Sequence, residues 1–545
     1  MTRFTVWQIT IALTAFCAYL LLQNPDSIKT WAAFIIFLSL ALLGVADRIQ
    51  RKHAILQNYP VIGHLRFLLE FIRPEIRQYF LESDTDKLPF SRNQRGLVYQ
   101  RSKNLSDHRP FGTLENIYAN GYEWLNFSNA VSKAGEVKPD LRVMVGGTQC
   151  AQPYPLSLLN VSAMSFGSLS ANAVLALNKG ASLGGFAQDT GEGSVSKYHR
   201  VYGGDLIWEI GSGYFGCRDN NGFFDIEKFS IVANDPQIKM IEIKLSQGAK
   251  PGHGGILPAA KITPEIAETR GIEMGSDCIS PSKHSAFETP EGMLEFIQLL
   301  RQRSNGKPVG FKLCIGKPED WFEMVHAMMS TKLRPDFIVV DGSEGGTGSA
   351  PVEYIDHVGM PMRDGLRLVH STLVGVNLRS EIKIGAAGKI ISAFDMARVI
   401  ALGADWCNSA RGFMFAIGCI QARSCNTDFC PTGVATQDPS RQKALNPLDK
   451  GDRVYHFHKN TLHAFSELLT AAGISNAADL SPDLIMKRDE NGIAKPLSHN
   501  LLHIDAGSLL LDNGSNAFKG SYAYLGEAWQ QVKSRAGSST RQMPH

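Results

Sequence analysis

The sequence predicts an α/β protein built on a (β/α)8 barrel and preceded by an N-terminal two-helix transmembrane hairpin. Three observations carry that expectation. From Leu156 onward, short β-rich runs alternate with helical stretches, the pattern of βα units wrapped around a parallel sheet. Two glycine-containing segments, residues 385–389 and 410–413, stand late in that alternation, where the last loops of a barrel commonly hold phosphate. At the amino end, residues 4–22 and 31–46 are apolar runs, each close to the ~20 residues needed to cross a bilayer.

The two apolar runs are separated by the polar turn QNPDSIKT, with Pro25, Asp26 and Lys29. A cleavable signal peptide is the alternative, but no small-x-small site follows Leu22 and a second apolar run comes at once. Arg3 precedes the first run, and Arg48, Arg51, Lys52 and His53 follow the second, so positive flanks place both ends inside. The expected location is therefore the inner (cytoplasmic) membrane, with the catalytic domain in the cytoplasm. Residues 1–53 form this hairpin and its basic flank, and residues 54–150 a connecting region of helices and loops. In that region Arg66, Arg73, Arg77, Arg92, Arg95 and Arg101 suit a solvated face or lipid headgroups, while Phe67, Leu68, Phe71 and Ile72 suggest packing on the barrel.

The barrel is expected in residues 151–475. Its eight candidate strands are LLNVSAM, GGFAQ, MIEIKL, DCISP, PVGFKL, DFIVVDG, EIKIGA and WCNSA. Residues 194–237, with IWEIGSGYFG inside them, are too long for a simple βα connection and read as an excursion that lids the site or packs on the cysteine loop. The run RVYHFHKNTLHAFSELLTAAG has helical periodicity and stops at Gly473. Residues 476–545 are a C-terminal extension, expected to be poorly structured beyond Ser534.

With 55 basic and 52 acidic side chains the net charge is +3, which gives no field that calls for nucleic acid. The nine cysteines have no regular disulfide spacing and suit a reducing compartment; Cys17, Cys314 and Cys407 read as packing residues. Cys419, Cys425 and Cys430 differ, forming a Cys-x5-Cys-x4-Cys cluster closed by Pro431. The spacing is that of neither a zinc finger nor a four-cysteine iron–sulfur site, and it suits a three-iron cluster. A structural turn with unmetallated thiols is the alternative. Glycine at 388 and 412 lets backbone N–H groups approach a phosphate, with Lys389 and Arg411 adding charge. No separate G-x-G-x-x-G strand–turn–helix for a nicotinamide cofactor is present, so electrons would come from a partner.

The cysteine run GCIQARSCNTDFCPTGVATQ resembles the iron–sulfur loop of the glutamate synthases. SAMSFGSLS (162–170), TGEG (190–193), QGAKPGHGG (247–255) and EGGTGSAP (344–351) resemble further motifs of the same domain, in the same order. The likeness covers roughly residues 156–473 and closely fits the stand-alone, FMN-binding glutamate synthase-like proteins. It implies an FMN barrel with a [3Fe-4S] cluster on Cys419, Cys425 and Cys430, performing reductive amination of a 2-oxo acid. Ser162, Ala163, Met164 and Ser165 would lie against the flavin ring, and Lys312, ending strand five, would stabilise the anionic reduced flavin. Otherwise its ammonium would be an unpaired charge in the barrel mouth. Glu192, Lys250 and Arg270 correspond to residues around the 2-oxoglutarate site. An external electron donor, ferredoxin-like or a reductase subunit, is implied as well.

The departures bear on substrate. Where the family reads AKPGEGGQLPG this chain has AKPGHGGILPA, placing His253 for Glu and Ile256 for a substrate-binding Gln, and NSGEGG is here DTGEGS. Apolar Ile256 makes no hydrogen bond to a keto acid, which points to a smaller or different acid. The family's amidotransferase nucleophile and glycine-repeat β-helix have no counterpart in this sequence, so the chain by itself is not expected to release ammonia from glutamine. Three rival readings stay open: another redox or amine-transfer reaction, a non-catalytic membrane electron-transfer subunit, and an IMP dehydrogenase-like barrel using one loop cysteine.

Overall fold

The computed structural model describes residues 3–84, 89–129 and 141–539. The chain divides into two compact units, with the boundary between Arg92 and Asn93. Parts of the connecting region 54–150 lie outside the described residues.

In the first unit the apolar runs form helices α1 (Thr5–Gln23) and α2 (Ile28–Ile49). Ser27 caps α2 by accepting from the Thr30 N–H. The helices touch where Trp7 lies over Gly44, a place with no room for a side chain, and Trp7 Nε1 donates to the Ala41 carbonyl (3.0 Å). Their best windows have mean hydropathy 1.7 and 2.1, and most of their side chains face outward; among the described residues these two helices are long and apolar enough to cross a membrane. Helix Gly63–Ile76 sets Arg66, Glu70 and Arg73 on one face and Leu65, Leu68, Leu69 and Ile72 on the other. Leu68 and Phe71 are 54% and 79% exposed within this helix's surroundings.

The second unit holds a closed parallel barrel. Its strands are β1 (Leu159–Val161), β2 (Gln188–Asp189), β3 (Leu206–Ile210), β4 (Ile238–Lys244), β5 (Val309–Leu313), β6 (Phe337–Asp341), β7 (Lys383–Ala387) and β8 (Trp406–Ser409). Each pairs with the next, and β8 closes on β1 in the register Cys407 with Leu159 and Ser409 with Val161. Near-continuous burial along the strands explains their apolar runs, since helices cover the outside and side chains fill the inside. The base of the barrel is plugged by an antiparallel hairpin, Arg142–Val145 with Tyr154–Ser157. Val145, Tyr154 and Leu156 from it join Ile207, Met240, Phe337 and Trp406 in one buried cluster.

Two strand assignments change. The segment IWEI belongs to β3, all five residues of which are buried, rather than to an excursion. DCISP lies outside the barrel: Cys278–Ile279 pairs antiparallel with Ile256–Leu257, and Ile279 is 63% exposed. A barrel strand would have both faces covered, and this one does not. Because one strand is gained and one lost upstream, Lys312 remains on strand five. The helix read after Asp449 is Pro447–Ala471, capped by Asn446, and Gly473 follows it with φ +75°. The carboxyl extension is more ordered than expected, because helix Ala523–Ser539 buries Leu525, Trp529 and Val532.

Candidate active site

The motifs meet at the carboxyl-end rim of the barrel. Beyond β1, the Ser162 N–H donates to the Ser409 carbonyl of β8 (3.1 Å). Gly191, at φ +65°, brings the TGEG loop so close to the Ser165 backbone that a Cβ has no space, and Gly193 is equally tight. In the loop after β4, Gly248 abuts the Gly342 carbonyl and donates to the Asp341 carboxylate (2.7 Å). Lys250 Nζ donates to the Ser349 carbonyl (2.9 Å), joining QGAKPGHGG to EGGTGSAP.

Glu192 is the centre of this rim. Lys244 Nζ lies 3.1 Å from Glu192 Oε2, and Ser280 Oγ donates to the same oxygen at 3.3 Å. Arg270, buried, donates to the Ser165 hydroxyl (3.3 Å) and the Phe166 carbonyl (3.0 Å), with its guanidinium 5.2 Å from the Phe215 ring centroid. Burial would raise the Glu192 carboxyl, but the charges of Lys244, Arg270 and Lys250 hold it below the ordinary value. Burial, followed by repulsion from Lys244, lowers Lys250 to about 8. The three expected residues thus share one electrostatic site, carrying three cations around one carboxylate once Lys244 is included.

Lys244 was legible only as the end of MIEIKL; its place at the carboxyl end of a barrel strand was the available signal. Gly255 brings backbone against Glu192, where a Cβ would collide with the carboxylate, and Gly254 abuts the Ser280 carbonyl in the same way. His253 packs edge-on to Tyr354 (5.3 Å between ring centroids), and Ile256 pairs with Ile279. A small cavity of about 20 Å³ between Glu192, Lys244 and Ser246 adjoins a larger one of about 390 Å³ lined by Phe215, Arg218, Glu273 and Lys283. Ser194, where the resembled motif has glycine, takes φ +73°.

Lys312 is not an unpaired charge. Its ammonium pairs with Glu209 and lies 3.2 Å from Glu242, all three fully buried in the barrel. Asp189 completes an acidic trio with Glu209 and Glu242, their ligand oxygens within 4.8 Å of one another. Burial raises the Glu242 and Asp189 carboxyls, and their mutual repulsion with Glu209 adds to it, while the same carboxylates hold Lys312 well above the usual lysine range. Glu209 and Glu242 escaped the sequence reading, the first because β3 was not recognised.

The loops after β7 and β8 suit an anion. Gly388 has φ +152°, and Lys389 follows at φ +51°. Burial, then the neighbouring Arg411 charge, lowers Lys389, so the two cations face each other. Arg411 donates to the Glu344 carbonyl (2.7 Å), while the Glu344 carboxylate accepts from the Met362 N–H (2.9 Å). Gly412 packs against the Ser409 hydroxyl with no room for a side chain. This donor set fits a phosphate.

The three thiols of the cysteine loop lie within electrostatic reach of one another, as ligands of one group would. Cys419 is raised to about 12 by burial and, further, by Cys425 and Cys430, so the three thiols act on one another. Burial would raise Cys430, but hydrogen bonds from the Ala435, Thr432 and Val434 backbone and the Thr432 hydroxyl hold it low. Tyr99 donates to the Cys419 carbonyl (2.7 Å), and Gln437 Nε2 donates to the Gly167 and Leu169 carbonyls (2.9 Å each), fixing the loop to SAMSFGSLS.

A closed parallel barrel whose rim gathers cations and glycine loops is the frame of a cofactor-using enzyme. Residues 132–475 match the conserved region in glutamate synthase, and the chain belongs to the glutamate synthase family as a glutamate synthase-like oxidoreductase. It is 38% identical over 501 residues to the glutamate synthase large subunit-like protein YerD of Bacillus subtilis, covering 85% of this chain and 95% of that one. The archaeal glutamate synthase (NADPH) of Methanocaldococcus jannaschii is 36% identical over 321 residues, 59% of this chain and 60% of its own length. A flavocytochrome b2 double mutant with pyruvate bound aligns over 88% of this chain and 96% of its own, at 12% identity and TM-score 0.41. A chimeric (S)-mandelate dehydrogenase mutant covers 73% and 98%, at 13% identity and TM-score 0.44, and likenesses this loose add nothing on function.

The buried ion cluster gives a stability prediction. Replacing Lys312 by Met leaves Glu209 and Glu242 without their cation, so it should destabilise by about 3–5 kcal/mol, read as an earlier urea midpoint. Adding Glu209→Gln should recover part of that loss. Equal midpoints for Lys312→Met and the wild type would contradict the pairing.

Proposed function

We propose that the chain catalyses reductive amination of a 2-oxo acid, with FMN on the barrel rim, a [3Fe-4S] cluster on Cys419, Cys425 and Cys430, and electrons from an external donor. The observation that carries this reading is Glu192 set among Lys244, Lys250 and Arg270 beside the 162–165 segment. Gly388, Lys389, Arg411 and Gly412 would hold the FMN phosphate, with Ser162, Ala163, Met164 and Ser165 against the ring system. When bound, FMN supplies a two-electron hydride donor and the cluster a one-electron relay.

The chain's own groups do the rest. Lys250 and Arg270 hold the substrate carboxylates, the arginine through its planar fork. Glu192, kept ionised by Lys244 and Arg270, accepts a proton as ammonia adds to the 2-carbonyl carbon and returns it as water leaves. Lys312, neutralised by Glu209 and Glu242, sits inside the barrel as a fixed cation. Ile256 in place of the family's amide favours a 2-oxo acid other than 2-oxoglutarate as a second reading of substrate.

Helices α1 and α2 are read as a membrane anchor, and Arg48 in the last turn of α2 with Arg51 and Lys52 beyond it favours a cytoplasmic barrel. Removing residues 1–53 should shift the protein from the membrane to the soluble fraction; an unchanged membrane fraction would mean another anchor.

Anaerobically purified protein should carry FMN, released by heat, and about three irons per chain. Cys425→Ser should lose the iron while keeping the circular dichroism of the barrel, because the loop lies outside the eight strands. Stoichiometric zinc without iron would sink the cluster.

Substrate is tested by offering 2-oxo acids with ammonia and a reduced artificial donor. Below about 8 Lys250 is an ammonium able to bind carboxylate; above it the charge is lost. The ratio kcat/KM, which reports free-enzyme groups, should therefore fall as pH rises through about 8, and Lys250→Met should remove that limb. Ile256→Gln should raise activity on 2-oxoglutarate. No 2-oxo acid turned over by the wild type, and none by Ile256→Gln, would end the reductive-amination reading.

A further inference from the structure

Lys261 closes the short turn Ala259–Lys261 and is 2% exposed. Its ammonium has three N–H bonds, and the structure supplies three carbonyls: Ser168 (2.9 Å), Ala435 (3.2 Å) and Cys425 (3.3 Å). Those acceptors come from two segments, the first after β1 and the other two from the middle and exit of the cysteine loop. Ser168 lies in the segment that runs from the proposed flavin face, Cys425 is a proposed cluster ligand, and Ala435 lies in the loop exit. No carboxylate lies within 4.0 Å of this ammonium among the described residues, in contrast to Lys244 and Lys312. The charges that act on it are Asp428, Cys425 and Cys430 on the attractive side and Arg270 on the repulsive side. Asp428 is already engaged by the Gln437 N–H (2.7 Å).

A buried ammonium with no anion in contact costs several kcal/mol, and carbonyl dipoles with the more distant Asp428 carboxylate offset only part of it. A neutral donor would make the same kind of hydrogen bonds without that cost. The position therefore makes sense if an anion forms close by, and the groups at hand are the thiolates of the cysteine loop. Cysteine ligands to iron are thiolates, and each electron added to the cluster increases the negative charge that Lys261 faces.

We propose that Lys261 is a positioning residue for the iron–sulfur centre: it ties the cysteine loop to the 162–170 segment and, as the fixed counter-cation of the cluster, raises the cluster's reduction potential. This rests on the [3Fe-4S] reading of Cys419, Cys425 and Cys430. Its mechanical part concerns the protein alone. The cation favours the reduced cluster by Coulomb attraction, undiluted by solvent because the ammonium is buried.

The test uses the full chain purified anaerobically, as wild type, Lys261→Gln, Lys261→Arg and Lys261→Met. Gln keeps a donor and removes the charge; Arg keeps the charge. Iron per chain is measured first, followed by a redox titration of the cluster monitored by electron paramagnetic resonance. Lys261→Gln should make cluster reduction about tenfold less favourable, a drop of about 59 mV for one electron, and Lys261→Arg should stay near the wild type. Equal potentials for Lys261→Gln and the wild type would overturn the electrostatic role. Hydrogen–deuterium exchange on the iron-free proteins reads the tie separately, so a variant that fails to assemble a cluster still decides it. Lys261→Met should speed exchange several-fold in residues 424–436 and 165–169 together, and unchanged exchange would overturn the tie. A wild type that binds no iron would overturn the cluster reading and the electrostatic role with it, a result visible before any variant is made.

Discussion

The closure of β8 on β1 is the constraint on which the site depends. In the register Ser409 with Val161, the closing pair puts the end of the first strand next to the end of the last, and the Ser162 N–H bonds to the Ser409 carbonyl across that seam. Residues 162–165 then lie beside the loop that carries Arg411, although about 250 residues separate them in the chain. A barrel has no free edge, so the eight strand ends are held at fixed spacing and their loops are forced together. Glycine decides how close they come. Gly191, Gly193, Gly248 and Gly255 each stand where a Cβ would strike a neighbouring motif, which is why these loops are short glycine-rich strings.

Charge inside the barrel follows from the same crowding. Lys312, Glu209, Glu242 and Asp189 are too buried to be solvated and too close to be independent. One lysine cannot neutralise three carboxylates, so the raised Glu242 and Asp189 carboxyls keep proton in the cluster. Asp189 stands where the resembled motif has asparagine, and a protonated aspartate, like that amide, offers both a donor and an acceptor, with one donor fewer. Glu192, only three positions along, has the opposite fate because Lys244 and Arg270 surround it. Two carboxyls on one loop are thus pushed apart in acidity, the arrangement expected where one group must stay ionised.

Much of this was legible in the sequence. The five motifs, the three cysteines and the trio Glu192, Lys250 and Arg270 are short local strings, and the structure brings them to one rim. Strand β3 was missed because Glu209 looks out of place in a buried strand until its partner Lys312 is known, 103 residues further on. Cys278–Ile279 reads as a barrel strand because two apolar residues between turns have the same composition in a hairpin as in a barrel. Lys261 carries no motif at all. Its meaning lies in three carbonyls from two segments far from it in the chain, which no window of sequence displays.

The central claim is that this rim couples reducing equivalents to formation of a carbon–nitrogen bond. The most direct measurement is a single turnover: flavin reduced anaerobically in the purified full chain is mixed with a 2-oxo acid, with ammonium, or with both, and its absorbance is followed while the amino acid is quantified. The account expects reoxidation only with both present, with one amino acid formed for each flavin reoxidised. Flavin that reoxidises with the 2-oxo acid alone, or without any amino acid appearing, would contradict it.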